Sequence, residues 1–449
     1  MSAERIDTLI EARWIAPVEP AGVIFEEHAL AVRDGKIVDL LPSADAQLRY
    51  QATERVELSD HLLIPGLVNA HTHAAMTLMR GLADDLPLMP WLTQHVWPVE
   101  GALMSAEFVR DGTELAAAEM LRGGITSCQD MYFFPDVAAA AFEQMGMRAV
   151  VGLIVIEFPS AWAGTTDEYF EKATRVHDQW RGHSLIGTSL APHAPYTVSD
   201  GSFQRIRTLS DQFDIRIQCH VHETAQEIVD ARQQTNERPL ARLKRLGVLS
   251  EALTAVHMTQ LTESEIEQCA RAGVAIAHCP ESNLKLASGF CPVDALLRAG
   301  IAVALGTDGC ASNNDLDLLG EARSAAFLAK GVSADASSVD AHQALRMATL
   351  GGAQALGLAD RIGSLVPGKW ADITAVSLSA LELQPVYNPV SHLIYAAGRQ
   401  HVSDVWVGGR RRVADGALIG VDSAALSAKA QRWAVRARSA QKAASEAKA

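Results

Sequence analysis

The chain has 449 residues, 48% of them hydrophobic, which is enough for one large domain with a real core and a second, smaller one. A formal net charge of -14, from 53 acidic against 39 basic side chains with no basic block, argues against a phosphate-binding surface and so against nucleic acid as a partner. The first residues lack a basic-then-apolar signal and no run approaches the ~20 apolar residues of a membrane helix, so a cytoplasmic protein without a membrane partner is expected; the six scattered cysteines have no Cys-x-x-Cys pair and read as reduced thiols.

Residues 1–62 alternate short apolar runs with turn signals: Thr8 to Trp14, His28 to Arg33, the turn Asp34-Gly35, and Lys36 to Leu41. The same texture returns in Asp372 to Val376 and Val402 to Val413. A lone hairpin is marginal in water, so both chain ends are expected to form one small β-sandwich domain from residues 1–62 and 366–422. Leu62 to His73 is apolar, passes through Pro65-Gly66, and reads as one buried strand that ends at two histidines. Seven further apolar runs end near Asp130, Glu157, His193, His222, His257, His278 and Asp308, alternating with helical patterns such as Ala106 to Arg122. Eight such units predict a (β/α)8 barrel, an α/β fold, over residues 63–365, and its C-terminal rim is where catalytic groups sit. Residues 423–449 are free of Pro and Gly and read as a terminal surface helix, partly frayed.

Period-2 geometry sends His71 and His73 to one face, where two neutral imidazoles suit a divalent metal. The fifth strand brings His220, His222 and Glu223; a regular strand would turn Glu223 away from His220, although a strand end can turn it back. His220 is the third expected ligand and Asp308 the fourth, with Gly309 freeing the backbone to turn. Three imidazoles and a carboxylate suit Zn²⁺, and Fe²⁺ is the other metal this donor set accepts. His222 and His278 read as packing or supporting groups, and Thr224 reads as the cap of a following helix. Trp91, Trp97 and Phe134 read either as pocket walls or as core.

His71-Thr72-His73, His220, His257 and Gly306 to Gly309 resemble the metal-site pattern of the amidohydrolase superfamily over nearly the full chain. Met76 to Gly81, Trp97 to Glu100, Ala191 to Tyr196, Cys279 to Lys285 and Ser312 to Asp315 are similar to the 5′-methylthioadenosine/S-adenosylhomocysteine deaminase family, and Gly363 to Ile373 to the superfamily's return into its small β domain. The resemblance implies metal on His71, His73, His220 and Asp308. The fourth strand, Ser184 to His193, carries no lysine to bridge a second ion, so one metal per subunit is expected. It further implies Glu223 as proton shuttle, Glu100, on a loop, for the ribose hydroxyls, His193 as a nucleoside contact, and His257 beside the attacking water. A homo-oligomer, dimer or tetramer, is the default expectation.

The implied chemistry is hydrolytic deamination of an adenosine-type nucleoside at C6. Glu223 would protonate ring N1 while Asp308 and His257 take the water's proton, and a metal lowers that water's pKa toward ~7. The loop Glu157 to Thr166 offers no Lys or Arg to a substrate carboxylate, which favours methylthioadenosine over S-adenosylhomocysteine, with Phe158 or Trp162 near the methylthio end. The alternatives are a guanine, 8-oxoguanine or triazine hydrolase of the same superfamily, and a non-catalytic metal-binding protein. Glu100 discriminates the first, since a free base has no ribose.

Overall fold

The computed structural model describes residues 3–446. Both chain ends build one eight-stranded mixed sheet from β1 (Glu4–Ile15), β2 (Phe25–Arg33), β3 (Lys36–Pro42) and β4 (Tyr50–Pro65). Eight barrel strands follow in sequence, β5 (Leu67–Thr72), β6 (Ile125–Tyr132), β7 (Arg148–Val155), β8 (Ile186–Pro192), β9 (Ile217–Val221), β10 (Leu253–His257), β11 (Ala275–His278) and β12 (Val303–Leu305). The end sheet then resumes with β13 (Ile373–Ser377), β14 (Val402–Val407), β15 (Arg410–Ala414) and β16 (Ala417–Leu418). Its order is β16-β15-β14-β13-β4-β1-β2-β3, with β1 antiparallel to β2 and parallel to β4. Asp34 and Gly35 both take positive φ, 52° and 74°, the backbone that a tight hairpin demands and that Asp-Gly supplies. Alternating residues such as Ile10, Leu30, Leu63, Ile373 and Trp406 form the buried core of this sheet.

The second sheet runs β5 to β12 in chain order, the eight strands expected, as a nearly closed parallel barrel. Every residue of β5, β6 and β7 is buried, as strands covered on both faces require. The eighth unit returns to the first where the Asp308 N–H donates to the His71 carbonyl at 3.0 Å. The helix Ala106–Arg122 has the expected limits. Among the described residues no helix is long and apolar enough to cross a membrane, and all six cysteines are buried thiols outside any disulfide.

Two expectations need correction. The run Leu62 to His73 is two strands, because the chain leaves one sheet for the other at Gly66. Pro65 has no N–H to continue a ladder, and a Cβ on Gly66 would lie 2.1 Å from Thr126 Oγ1. The terminal helix, Ser423–Glu446, is anchored instead of frayed. Trp433 is buried, meets Phe108 edge-on at 5.2 Å, and donates its indole N–H to Asp111 Oδ2 at 3.0 Å. Lys429 bridges Asp111 at 3.1 Å and Glu114 at 2.6 Å. Residues 1–2 of the expected β domain and 447–449 of the expected helix lie outside the described residues.

The chain clusters into two compact units. One holds the end sheet, from Met1–Asn69, Glu119–Ser127 and Asp317–Val421; the other, Ala70–Ala118, Cys128–Leu316 and Asp422–Ala449, holds all the site residues described next.

Candidate active site

Four side chains from three strand ends converge. His71 is the penultimate residue of β5 and His73 follows the strand, His220 lies in β9, and Asp308 follows β12. One ligand atom from each lies within 4.8 Å of all the others. Asp308 Oδ1 stands 3.3 Å from His71 Nε2 and 3.2 Å from His73 Nε2, and the Nε2 atoms of His71 and His220 are 3.2 Å apart. Bonds of ~2.0–2.1 Å to a tetrahedral ion set its ligands ~3.3 Å apart, so the spacing fits one divalent metal.

The tautomers fit as well. Each histidine donates its Nδ1–H outward: His71 to Gln218 Oε1 at 3.0 Å, His73 to the Met131 carbonyl at 2.5 Å, His220 to the His193 carbonyl at 2.7 Å. Gln218 is itself oriented by donating to the Ala70 carbonyl at 2.8 Å. Three Nε2 lone pairs therefore face one carboxylate, an arrangement that calls for a cation. Without a metal a proton must serve: burial pushes His73 down, but the hydrogen bond and charge of Asp308 outweigh it and raise His73 to about 9. Burial first, then the neighbouring imidazoles, holds His220 well below its usual range. Ser282 and Ser312 donate to Asp308 Oδ2 at 2.6 and 2.8 Å, leaving Oδ1 for the ligand position.

Three of the strand ends here leave through left-handed, non-glycine residues: His222 (φ 54°), His257 (74°) and Asp308 (59°). Such backbone is costly and collects at functional sites. The turn at Asp308 is thus made by the aspartate itself and not, as expected, by Gly309. Gly309 is needed for closeness, since a Cβ there would sit 2.9 Å from Met76 Sδ and 3.1 Å from His73 Cβ. At His222 the turn reverses the alternation. His222 swings away from the metal ligands to accept the Leu240 N–H at 3.2 Å, and Glu223 enters the pocket wall. His222 and His278 are both buried and neither lines the pocket.

Burial, reinforced by the charge of Asp308, pushes the Glu223 carboxyl up to about 8. Its Oε1 lies 3.9 Å from His257 Nε2. His257 donates Nδ1–H to Asn283 Oδ1 at 2.9 Å, and burial holds its pKa down, so Nε2 keeps a free lone pair. His193, lowered by burial to about 3, donates Nδ1–H to Thr197 at 2.9 Å and lines the same pocket.

The pocket, about 770 Å³ with its open mouth included, joins these polar groups to an apolar end that includes Trp91, Trp97, Phe133 and Phe158. Glu100 is in its wall, on the helix Trp97–Leu103 and not on a loop as expected. It is buried, which raises its pKa, and accepts the Tyr132 hydroxyl at 2.5 Å. Phe134 and Trp162 do not line the pocket; Trp162 is buried against Tyr169, 5.6 Å between ring centroids. Gln218, Asn283, Ser282, Ser312 and Tyr132 had no role in the sequence reading. Gln218 was within reach, two residues before His220 on the same strand face, and Asn283, Ser282 and Ser312 sit inside motifs already singled out. The Met131 and His193 carbonyls leave no side-chain signal.

Residues 62–412 match the model of the amidohydrolase family. A Teredinibacter turnerae protein named 5-methylthioadenosine/S-adenosylhomocysteine deaminase is 45% identical over 428 residues, 95% of this chain and 97% of that one. An adenosine deaminase from Xanthomonas campestris, solved with bound zinc, is 57% identical with a TM-score of 0.97 and covers 98% of this chain and 100% of its own. Atrazine chlorohydrolase from Arthrobacter aurescens, solved with zinc, shares the fold alone: 23% identity, TM-score 0.87, over 95% of this chain and 100% of its own. The chain belongs to the amidohydrolase family, on the branch whose curated members are named 5-methylthioadenosine/S-adenosylhomocysteine deaminase.

Proposed function

We propose that this protein hydrolyses the C6 amino group of an adenosine-type nucleoside, with 5′-methylthioadenosine preferred, giving 5′-methylthioinosine and ammonia. The observation that carries the reading is one pocket in which a proton-bearing Glu223 faces a neutral His257 beside the four-ligand cluster. A zinc ion on His71, His73, His220 and Asp308, when bound, supplies the acidity that makes water nucleophilic near neutral pH. Glu223 donates a proton to N1, which makes C6 electrophilic. His257 Nε2 and Asp308 accept one proton of the attacking water and return it to the departing nitrogen, while the proton left on the C6 hydroxyl passes to Glu223 as the carbonyl forms and restores it. Glu100 accepts from the ribose hydroxyls, and His193 Nε2, with its lone pair free, contacts the nucleoside.

Phe158 and Trp97, 6.1 Å apart, make the apolar end suited to a methylthio group, and the loop 157–166 brings no cation for an amino-acid tail. We further propose a cytoplasmic homo-oligomer, dimer or tetramer, without a nucleic-acid partner, and a barrel domain spanning residues 63–365 between two parts of the β domain. Ammonia release from methylthioadenosine, S-adenosylhomocysteine, adenosine and guanine tests the reading. The highest kcat/KM is expected for methylthioadenosine; turnover of guanine alone would replace the nucleoside assignment with a free-base one.

A further inference from the structure

Glu223 reaches the pocket through a local reversal of the backbone, and something must hold that reversal. β9 ends at Val221, and the left-handed His222 takes the next two peptides out of the strand ladder. Their donors converge on one carboxylate: the His222 N–H donates to Glu227 Oε1 at 3.1 Å and the Glu223 N–H to Glu227 Oε2 at 2.7 Å. Their acceptors converge on one residue: the His222 carbonyl accepts the Thr259 N–H at 3.0 Å, and the Glu223 carbonyl accepts the Thr259 hydroxyl at 2.7 Å. Glu227 is buried and lies in the first turn of the helix Ala225–Thr235, where its own N–H donates to the cap Thr224 at 3.2 Å. A helix cap alone would be complete with Thr224. The reach of Glu227 beyond it, to two residues upstream, is what ties the helix to the direction of Glu223.

We infer that Glu227 is a positioning residue, whose carboxylate clamps the His222 and Glu223 amides so that the Glu223 side chain faces the substrate. The inference rests on the reading of Glu223 as the proton-carrying group. Both oxygens are needed because both partners are donors. A glutamine at 227 keeps the size but presents an NH₂ to one of the N–H groups, which opens that half of the clamp.

The test compares Glu227→Gln, Thr224→Ala and Glu223→Gln on methylthioadenosine, with metal content and Tm measured for each. Glu227→Gln is expected to lower kcat by ~10- to 100-fold, taking as a guide the range for groups that orient metal ligands, with KM and metal content held. Thr224→Ala loses the cap alone, so its Tm falls while kcat is kept. Wild-type kcat in Glu227→Gln, or a loss no greater than that of Thr224→Ala, overturns the inference. If Glu223→Gln is inactive while Glu227→Gln is not, only the clamp fails. If Glu223→Gln itself turns over normally, the proton assignment fails and takes the clamp with it.

Discussion

The floor of the pocket and its wall are built by different means. On the floor, His71, His73, His220 and Asp308 hang from barrel strand ends, and each has a second partner that fixes its orientation. On the wall, Glu100 sits in the helix Trp97–Leu103, which follows a π-helical turn at Leu92–Val96 and the short helix Leu88–Trp91. No strand carries it, and the Tyr132 hydroxyl is the partner that holds its carboxylate. The segment leading into this wall is tied down at Asp84, which pairs with Lys285 at 2.5 Å. The difference teaches where each property resides. The rigid parallel sheet fixes the reactive groups, while a short irregular helical segment, free to vary without disturbing the barrel, shapes what can be bound.

Breaking the floor should abolish the reaction outright. His73→Ala, or chelation of the wild type, is expected to remove the metal and reduce ammonia release to background, and added zinc should restore the chelated wild type but not the variant. Turnover that persists in metal-free protein would separate the cluster from the chemistry. Breaking the wall should cost less and differently. Glu100→Gln weakens hydrogen bonds from the ribose to a charged acceptor, worth about 1.5–3 kcal/mol, or roughly ten- to a hundredfold in kcat/KM. The loss is expected mainly in KM, with metal content unchanged, and a free base should bind equally well to both forms. Gln218→Leu tests the support beneath the floor. It leaves His71 Nδ1 without its acceptor, and metal affinity should fall about tenfold, the low end of the ~10–100-fold range for such groups, as read by competition with a chelator.

The same contrast explains what could be read in the amino-acid sequence. The barrel was legible because each strand is a short apolar run with His, Asp or Glu near its end, and the eight observed strands end at or within three residues of those positions. The metal ligands were legible because a strand has period 2, which puts His71 and His73 on one face, and because His220 and Asp308 stand at the ends of two later strands; the imidazole pair alone would have been a weak signal. Glu223 was only half legible. Alternation places it on the wrong face, and the left-handed His222 that corrects this gives no firm sequence signal, since even Asn, Asp and His, the side chains enriched in that backbone, adopt it only rarely. The loop expected at Glu100 is the first turn of a helix, where Pro98, two residues before it, is tolerated. The break at Gly66 was hidden because both sheets ask for the same apolar residues on either side of it.

The smallest expected effect comes from the far side of the wall. The terminal helix Ser423–Glu446 packs against both Trp97–Leu103 and the turn Ala74–Met79 that follows His73, so it touches the supports of wall and floor. Trp433→Phe keeps the ring contact with Phe108 and removes only the N–H donated to the buried Asp111, at a cost of about 1–2 kcal/mol in stability. Because the floor is also fixed by strands, kcat and metal content should hold, and any functional change should be a modest rise in KM. A drop in metal content instead would show that the floor leans on this helix as much as the wall does. The pH dependence has a definite sign. Burial pushes the Asp111 carboxyl up, but the hydrogen bonds from Trp433 and Lys429 outweigh it and hold it below its ordinary range. A lowered carboxylate stabilises the fold above the unfolded value of ~3.9 and loses that contribution as pH falls through the folded value. The stability gap between wild type and Trp433→Phe, read from denaturant midpoints, should therefore be full at neutral pH, begin to shrink near the unfolded value of ~3.9, and close only as the pH falls through the lower folded value of Asp111.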